Sequence, residues 1–378
     1  MRTWRAVFYL GLLTVLIWVY LVVARGRFWV IEAKDRSGGS GGTARVAVII
    51  PARDEAGGIG EAVTSVARQV YSGPLHVFVV DDHSSDGTAD AARRAAGGDR
   101  LTVVSAGALP AGWAGKVWAM AEGVRRASET FQPEFYLFTD ADIVHAPDNL
   151  AGLVSRAAEG WDMVSLMVHL RCHSLAERAL VPAFVYFFFK LYPPAWIADA
   201  GNRTAGAAGG CMLVRASALE RAGGLAAIAG ERIDDCALAA RIKGFGGRVW
   251  LGAAARTRSV REYPQFGDIL RMISRSAYTQ LRYSPVLLAG TVAGMAVVYF
   301  APVLLLFTRA WAFGLVAWIL MAVTFVPVLR LYGRSLAWAV LLPGMAGFYV
   351  GATVHSAWMH WRGRGGVWKG RADFLSTS

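Results

Sequence analysis

Four stretches, Ala6 to Ala24, Val286 to Phe307, Trp311 to Leu329 and Leu336 to Trp358, are long and apolar enough to cross a hydrocarbon core, which takes about 20 such residues. One opens the chain and three crowd its end, so what lies between must supply any water-facing fold. The four stretches account for much of a composition that is 55% hydrophobic and only 17% charged, too apolar for an ordinary soluble protein. The first ends in Arg25 and Arg27 without the small-residue pattern of a cleavable signal, and is therefore expected to remain as an anchor.

Lys and Arg outnumber Asp and Glu by 39 to 27, a net charge of +12. Beside membrane spans, that surplus suits anionic lipid or a phosphorylated substrate. No aromatic-basic module accompanies it, so no nucleic-acid partner is expected. Cys172, Cys211 and Cys236 lack the paired spacing of zinc or redox sites, and His169 with His173 reads as structural. Arg25, Arg27, Lys34, Arg36 and Arg45 follow the first span, against Arg2 and Arg5 before it, which puts the middle of the chain in the cytoplasm of a multi-pass protein of a bacterial inner membrane. Three further full crossings would leave the tail outside. Arg362, Arg364, Lys369 and Arg371 ask for it inside, so one of those spans is expected to be re-entrant.

The layout expected is an anchor over 1–26, a Gly/Ser linker over 27–43, a catalytic domain over 44–263, an amphipathic interfacial helix over 264–284, a membrane region over 285–358 and a basic tail over 359–378. Within the middle region, Val46 to Ile50 is a continuous apolar run of the kind buried on both faces of a sheet. Helical spacing from Ile59 to Val70 follows, then strand Leu75 to Val80, helix Thr88 to Ala96, strand Leu101 to Val104, a helix after Lys116, strand Phe135 to Thr139 and a helix opening at Pro147. This alternation predicts an α/β fold with a mostly parallel, Rossmann-like sheet, whose ligands bind beyond the carboxyl ends of the strands. Later come strands Met163 to Leu170 and Cys211 to Val214, an interfacial or re-entrant segment from Phe184 to Trp196, and a helix from Asp234 to Gly244.

Acidic clusters fall at two of those strand ends. Asp140-Ala141-Asp142 puts two carboxylates one residue apart after a buried strand, a hard-oxygen pair suited to Mg²⁺ or Mn²⁺ with a diphosphate. Asp81-Asp82 end the earlier strand, where a carboxylate can accept hydrogen bonds from a base or ribose; Asp82 is the better candidate. Ser85 or Asp86 is expected to cap the helix that follows.

Taken together, Ile49-Ile50-Pro51-Ala52-Arg53-Asp54-Glu55, the Val80 to Thr88 run and Thr139-Asp140-Ala141-Asp142 resemble the successive motifs of family 2 glycosyltransferases, which have a GT-A fold. Asp54 stands where that family usually has Asn. The resemblance implies donor contacts from Pro51, Glu55, Asp82 and Asp140, metal binding by Asp140 and Asp142, and Asp235, in the pair Asp234-Asp235, as catalytic base. Leu109 to Ala119 (LPAGWAGKVWA), Ala277 to Tyr283 and the C-terminal spans are similar to the hopene-associated glycosyltransferases of bacterial hopanoid biosynthesis. Where related lipid-directed enzymes carry Gln-x-x-Arg-Trp, the aligned residues here are Thr279, Arg282 and Tyr283, so Arg282 is the one carried over.

These residues imply a membrane-bound, metal-dependent transfer of a sugar from a nucleotide-diphosphate donor to a lipid acceptor, hopanoid or polyprenyl-type. Lys116, Arg282 and the metal would neutralise the leaving diphosphate while Asp235 takes the acceptor proton. One base without an enzyme nucleophile implies inversion. A processive polysaccharide synthase would need more spans and the complete Gln-x-x-Arg-Trp motif. A non-catalytic membrane protein that binds nucleotide sugar would tolerate Asp235→Asn.

Overall fold

The computed structural model describes residues 2–35, 42–96 and 99–363, together with the backbone of two short strands, Val367–Trp368 and Arg371–Ala372. Residues 36–41 of the expected Gly/Ser linker and most of the basic tail lie outside the described residues. The chain divides into two compact units, a sheet unit built on residues 33–171 and 196–262, and a helical unit of Met1–Glu32, Cys172–Ala195 and Tyr263–Gly365.

In the sheet unit, apolar β-branched runs form strands wherever both faces are covered. Strand β1 (Val46–Ala52) is buried at every position, and so, nearly, is β2 (Leu75–Asp81). With β3 (Leu101–Ser105), β4 (Phe135–Phe138), β5 (Ile143–Val144), β6 (Met163–His169), β7 (Met212–Arg215) and β8 (Val249–Ser259) they make one sheet in the order β3-β2-β1-β4-β7-β6-β8-β5. Strands β3, β2, β1 and β4 run parallel, as do β6 and β8. Strand β7 is antiparallel to β4 and β6, and β5 to β8. Helices Ile59–Ala67 and Asn149–Ala158 bury one face each against a core that includes Val48, Ile50, Val77, Leu137, Leu150 and Leu213. The helix expected to open at Pro147 starts two residues later, at Asn149.

The stretch read as a linker is partly docked. Ala33 bridges to Ala253 on β8, and the Asp35 carboxylate accepts the N–H groups of Ala255, Arg256 and Thr257. Residues 33–35 therefore cover part of an edge that would otherwise present unpaired backbone groups.

Across the described chain, five helices are long and apolar enough to cross a membrane: Trp4–Val23, Leu175–Ala198, Pro285–Leu305, Trp311–Leu331 and Leu336–Trp361. The second adds to the four found in the sequence. It is a helix over Leu175–Leu191 followed by a short one over Pro194–Ala198, and within the helical unit it touches all four others. Lys190 donates to Tyr299 and lies over the Trp18 ring, Tyr186 pairs with Thr324, and Tyr349 donates to the Leu180 carbonyl.

Further contacts set the directions of the other helices in this unit. Trp18 Nε1 donates to the Val298 carbonyl, and Gly11 lies against Phe313. Gly314 packs on Pro302 and Leu305, so Trp311–Leu331 turns back along the helix before it. Ala357 packs with Leu288 while Gly347 meets Phe300, which makes the final helix antiparallel to Pro285–Leu305. Trp318 Nε1 donates to Val340. The helix expected over 264–284 is broken into Phe266–Ser274 and Ala277–Gln280, with Ser274 and Tyr278 hydrogen-bonded to Ala352 and Ser356 of the last helix.

Candidate active site

Because β1, β2 and β4 are parallel and in register, with Ala52 opposite Asp81 and Ile49 opposite Phe138, the turns that leave them emerge along one edge of the sheet. The first two turns are stitched together. Asp54 takes a left-handed backbone (φ 50°), which Asp and Asn tolerate better than other residues, and its Oδ1 accepts the Ser85 N–H. An Asn would satisfy both demands, which accounts physically for the exchange of Asn for Asp here. In return the N–H groups of Asp54, Glu55 and Ala56 donate to Ser84, Thr88 and Asp86. Asp86 also accepts the Thr88 N–H, but the N-cap of helix Thr88–Ala95 is Gly87, left-handed at φ 86°, so neither Ser85 nor Asp86 holds the capping place expected for them.

The third turn brings charge together. Lys116 stands in the first turn of helix Gly115–Thr130, 2.9 Å from Asp140 Oδ1 and 3.3 Å from Asp234 Oδ2. Burial works to lower the Lys116 pKa, but Asp140, Asp234 and Asp235 outweigh it and hold the ammonium well above the usual lysine range. Asp234 and Asp235 open helix Asp234–Gly244, where carboxylates suit the positive end of the helix dipole. Asp235 Oδ2 accepts the Gly209 N–H at 2.8 Å and Oδ1 the Cys236 N–H at 2.7 Å. Burial, helped by neighbouring Asp234 and opposed by Lys116 and the two N–H donors, pushes the Asp235 carboxyl up to about 6. Glycine at 209 permits this approach, since a Cβ there would sit 3.2 Å from Asp235 Oδ2 and 3.3 Å from Lys116 Nζ.

Asp142 faces a partner that the sequence did not suggest. At the end of β8, Ser259 donates to Asp142 Oδ2 at 2.6 Å and Arg261 lies 3.3 Å from the same oxygen, while reaching Glu55 Oε1 at 2.5 Å. Burial raises the Asp142 pKa, with Asp140 adding to it and Arg261 opposing it. Arg261 thus ties two expected site residues, Glu55 and Asp142, to one cation. Nothing marked it in advance, because β8 carries no apolar alternation.

A divalent cation bound with a diphosphate takes hard oxygens and needs only one or two protein carboxylates. Asp140 fits: its side chain is 36% exposed and Lys116 engages Oδ1 alone. Asp142 has Oδ2 engaged, leaving Oδ1 to meet a cation. Among the described residues no group of three or more His, Cys, Asp or Glu is placed to hold a metal ion.

Of the other expected residues, Pro51 is buried in β1 opposite Val80. The Asp82 side chain is fully buried, 3.6 Å from Arg53 and 3.2 Å from His83. Its neighbour Asp81 has Oδ1 buried with no hydrogen-bond partner among the described residues. Arg282 belongs to the helical unit, exposed, in a turn with left-handed backbone at φ 51°. The structure thus gathers Lys116, Asp140, Asp234 and Asp235 into one cluster and Glu55, Asp142 and Arg261 into another.

Among solved structures, the chain is similar to the mannosyltransferase PcManGT from Pyrobaculum calidifontis in complex with GDP-Man and Mn²⁺, at 20% identity and a TM-score of 0.55, over 93% of this chain and 99% of that one. TarS from S. aureus in complex with UDP-GlcNAc follows at 14% identity and a TM-score of 0.41, over 85% and 92%. Glucosyl-3-phosphoglycerate synthase from Mycobacterium tuberculosis, with Mn²⁺, UDP-Glc and glycerol 3-phosphate, gives 16% and 0.40, over 67% and 87%. The first likeness supports a GT-A-like fold with a mostly parallel sheet; the other two scores are too low to argue from. No curated protein matches the sequence. The profile described as glycosyltransferase-like family 2 matches residues 44–279, well over half the chain, and the chain belongs to that family.

Proposed function

We propose that the chain is a membrane-bound, inverting glycosyltransferase that moves a sugar from a nucleotide-diphosphate donor to a lipid acceptor of the hopanoid or polyprenyl type. The observation that carries this reading is the cluster of Lys116, Asp140, Asp234 and Asp235 at the strand ends, in a chain with five helices apolar enough for a bilayer. A carboxyl near 6 is ionised at neutral pH yet basic enough to take a proton from an acceptor hydroxyl, which fits Asp235 as the base. The N–H groups of Gly209 and Cys236 fix its orientation. Lys116 is held charged beside Asp140, where it can meet the negative charge of a departing diphosphate. Asp140 and Asp142 would hold Mg²⁺ or Mn²⁺, which when bound supplies further neutralisation of the diphosphate. Pro51, Glu55 and Asp82 are assigned to the donor nucleoside and Arg282 to the diphosphate. With one base and no enzyme nucleophile, displacement inverts the anomeric carbon.

The membrane reading extends to topology, with the sheet unit in the bacterial cytoplasm and three crossings, Trp4–Val23, Pro285–Leu305 and Trp311–Leu331. Strands β6 and β7 flank Leu175–Ala198 and pair with each other, so the segment between them begins and ends on one side and cannot cross once. The final segment has the features of a re-entrant arm. Val340 lies beside Trp318, which is 13 residues (about 20 Å at 1.5 Å per residue) before Leu331, so the chain climbs back along the preceding helix before Leu342–Trp361 descends. The tail then leaves on the side where Pro285 begins. Arg330, Arg334 and Arg362 share that side with Arg25 and Arg27, in keeping with the positive-inside rule.

The test is transfer of radiolabelled sugar from a panel of nucleotide sugars into extracted lipid, by purified protein in membranes with Mn²⁺ or Mg²⁺. GDP-Man with Mn²⁺ comes first in the panel, as the pair found with the similar Pyrobaculum mannosyltransferase. Label in lipid with wild type, lost about 10³-fold or more with Asp235→Asn while donor binding persists, is the expected result. Donor binding without label in any lipid, unchanged by Asp235→Asn, would sink the proposal.

A further inference from the structure

Behind the charged cluster lies a buried polar chain that none of the assigned roles uses. Thr139, His145 and Asn149 are 1%, 4% and 4% exposed. Thr139 Oγ1 is 2.8 Å from the Gly210 carbonyl and 2.8 Å from His145 Nε2, and His145 Nδ1 is 2.8 Å from Asn149 Nδ2. Asn149 Nδ2 also donates to Cys211 Sγ, and Ser65 Oγ accepts the His145 N–H.

The hydrogens in this chain have one consistent assignment. A carbonyl can only accept, so the single Thr139 hydrogen goes to Gly210. Toward His145 the hydroxyl must then accept, which requires a hydrogen on Nε2. Burial pushes the His145 pKa down to about 4, so the ring is neutral and Nδ1 is bare, ready for the Asn149 amide. Each donor has an acceptor, and the chain has one direction, from Asn149 through His145 and Thr139 to Gly210.

Both ends of this chain touch proposed chemistry. Thr139 immediately precedes Asp140. The Gly210 carbonyl belongs to the turn in which Gly209 gives its N–H to Asp235 Oδ2. That turn has little room of its own, since a Cβ at Gly210 would sit 3.1 Å from Val168 and one at Gly209 3.2 Å from Asp235. The hydroxyl of Thr139 therefore adds to the β4–β7 pairing, which ends with Phe138 opposite Met212, a direct tie to the Gly209–Gly210 turn, and the Nε2 hydrogen of His145 holds that hydroxyl with its own hydrogen on Gly210.

We propose that His145 is a positioning residue for sugar transfer: acting through Thr139, it fixes the Gly209–Gly210 turn that orients Asp235 relative to the carboxylates at the end of β4. This rests on the reading of Asp235 as base. A misplacement of a reacting group by about 1 Å costs roughly 100-fold in rate without necessarily altering binding. Accordingly, His145→Leu and Thr139→Val are expected to lower kcat about 10- to 100-fold with little change in donor KM, and the double variant to be no slower than the worse single one. His145→Gln, whose amide can still donate toward Thr139, is expected to regain most of the rate that Leu loses.

Rates are counted per nucleotide-binding site in membranes, so that loss of folded protein does not register as loss of kcat. Asp235→Asn is run alongside. A dead Asp235→Asn with wild-type kcat in both His145→Leu and Thr139→Val overturns the positioning role alone, as does a loss confined to KM or equal in the Gln and Leu variants. Full transfer by Asp235→Asn overturns the base assignment and the positioning role with it.

Discussion

At the scale of single residues, the candidate site is governed by one half-buried cation, Lys116, among three carboxylates. Lys116 lowers the pKa of Asp235, while burial and Asp234 raise it. Removing the ammonium in Lys116→Met therefore lets the Asp235 pKa climb above its present value of about 6, and a base must be ionised to act. The acid limb of the pH–kcat/KM profile should move to higher pH, and the rate at neutral pH should fall roughly 100-fold as charge stabilisation of the diphosphate is lost as well. Lys116→Arg, which keeps the charge, should leave the acid limb nearly in place. Titrating lipid transfer between pH 5 and 9 checks both. An unmoved limb in the Met variant would mean that Asp235 does not control the profile. Several of these residues are legible in the sequence because carboxylates after apolar strands have few structural reasons to be there. Arg261 is not: the third arginine of a run with Arg256 and Arg258, just past a Gly- and Ala-rich strand, looks like any surface cation, and only its 2.5 Å and 3.3 Å approaches to Glu55 and Asp142 bring it into the candidate site.

At the scale of elements, strands whose own residues demand burial were readable, and strands held by their neighbours were not. The run Val46–Ala52 is apolar throughout and Met163–His169 is apolar but for Ser165 and His169, whereas Val249–Ser259 carries Gly252, three alanines and two arginines and owes its place to parallel pairing with β6. The antiparallel entry of β7 between β4 and β6 is likewise a matter of tertiary pairing, which periodicity does not encode. The outer edge of β8 depends on Asp35, 8% exposed, whose carboxylate takes three backbone N–H groups at 2.9, 2.6 and 3.1 Å. Asp35→Ala would strand those donors in a nearly dry setting, at a cost of about 2–4 kcal/mol. For a unit of this size that corresponds to a fall in Tm of roughly 5–10 °C, measurable by thermal unfolding in detergent. Asp35→Asn, with one acceptor oxygen retained, should lose less, and an unchanged Tm in Asp35→Ala would show that residues 33–35 do not secure the edge.

At the scale of the whole molecule, the sequence posed a conflict that chain direction in the helical unit bears on. Hydropathy counts apolar length and is blind to whether a segment crosses or returns, so three apolar C-terminal segments put the tail on one side and its basic residues on the other. Packing supplies the missing sign. The last helix runs antiparallel to Pro285–Leu305, and its end meets the residues that lead into that helix: Tyr283 stacks on His360 at 4.3 Å, and Trp361 lies against Tyr278. A tail on the far side would have to break those contacts. The three-crossing arrangement therefore makes a prediction for reporter fusions. Green fluorescent protein joined after Ser378 should fluoresce, and alkaline phosphatase joined there should be inactive, while the same pair joined before Met1 should give the opposite pattern. A single cysteine at Arg334 should resist a membrane-impermeant maleimide in intact cells, whereas one at Arg309 should be labelled. Active phosphatase at the C-terminus would restore a fourth crossing and exclude the re-entrant arm, because 20 residues of helix cannot both cross the bilayer and keep Trp361 beside Tyr278.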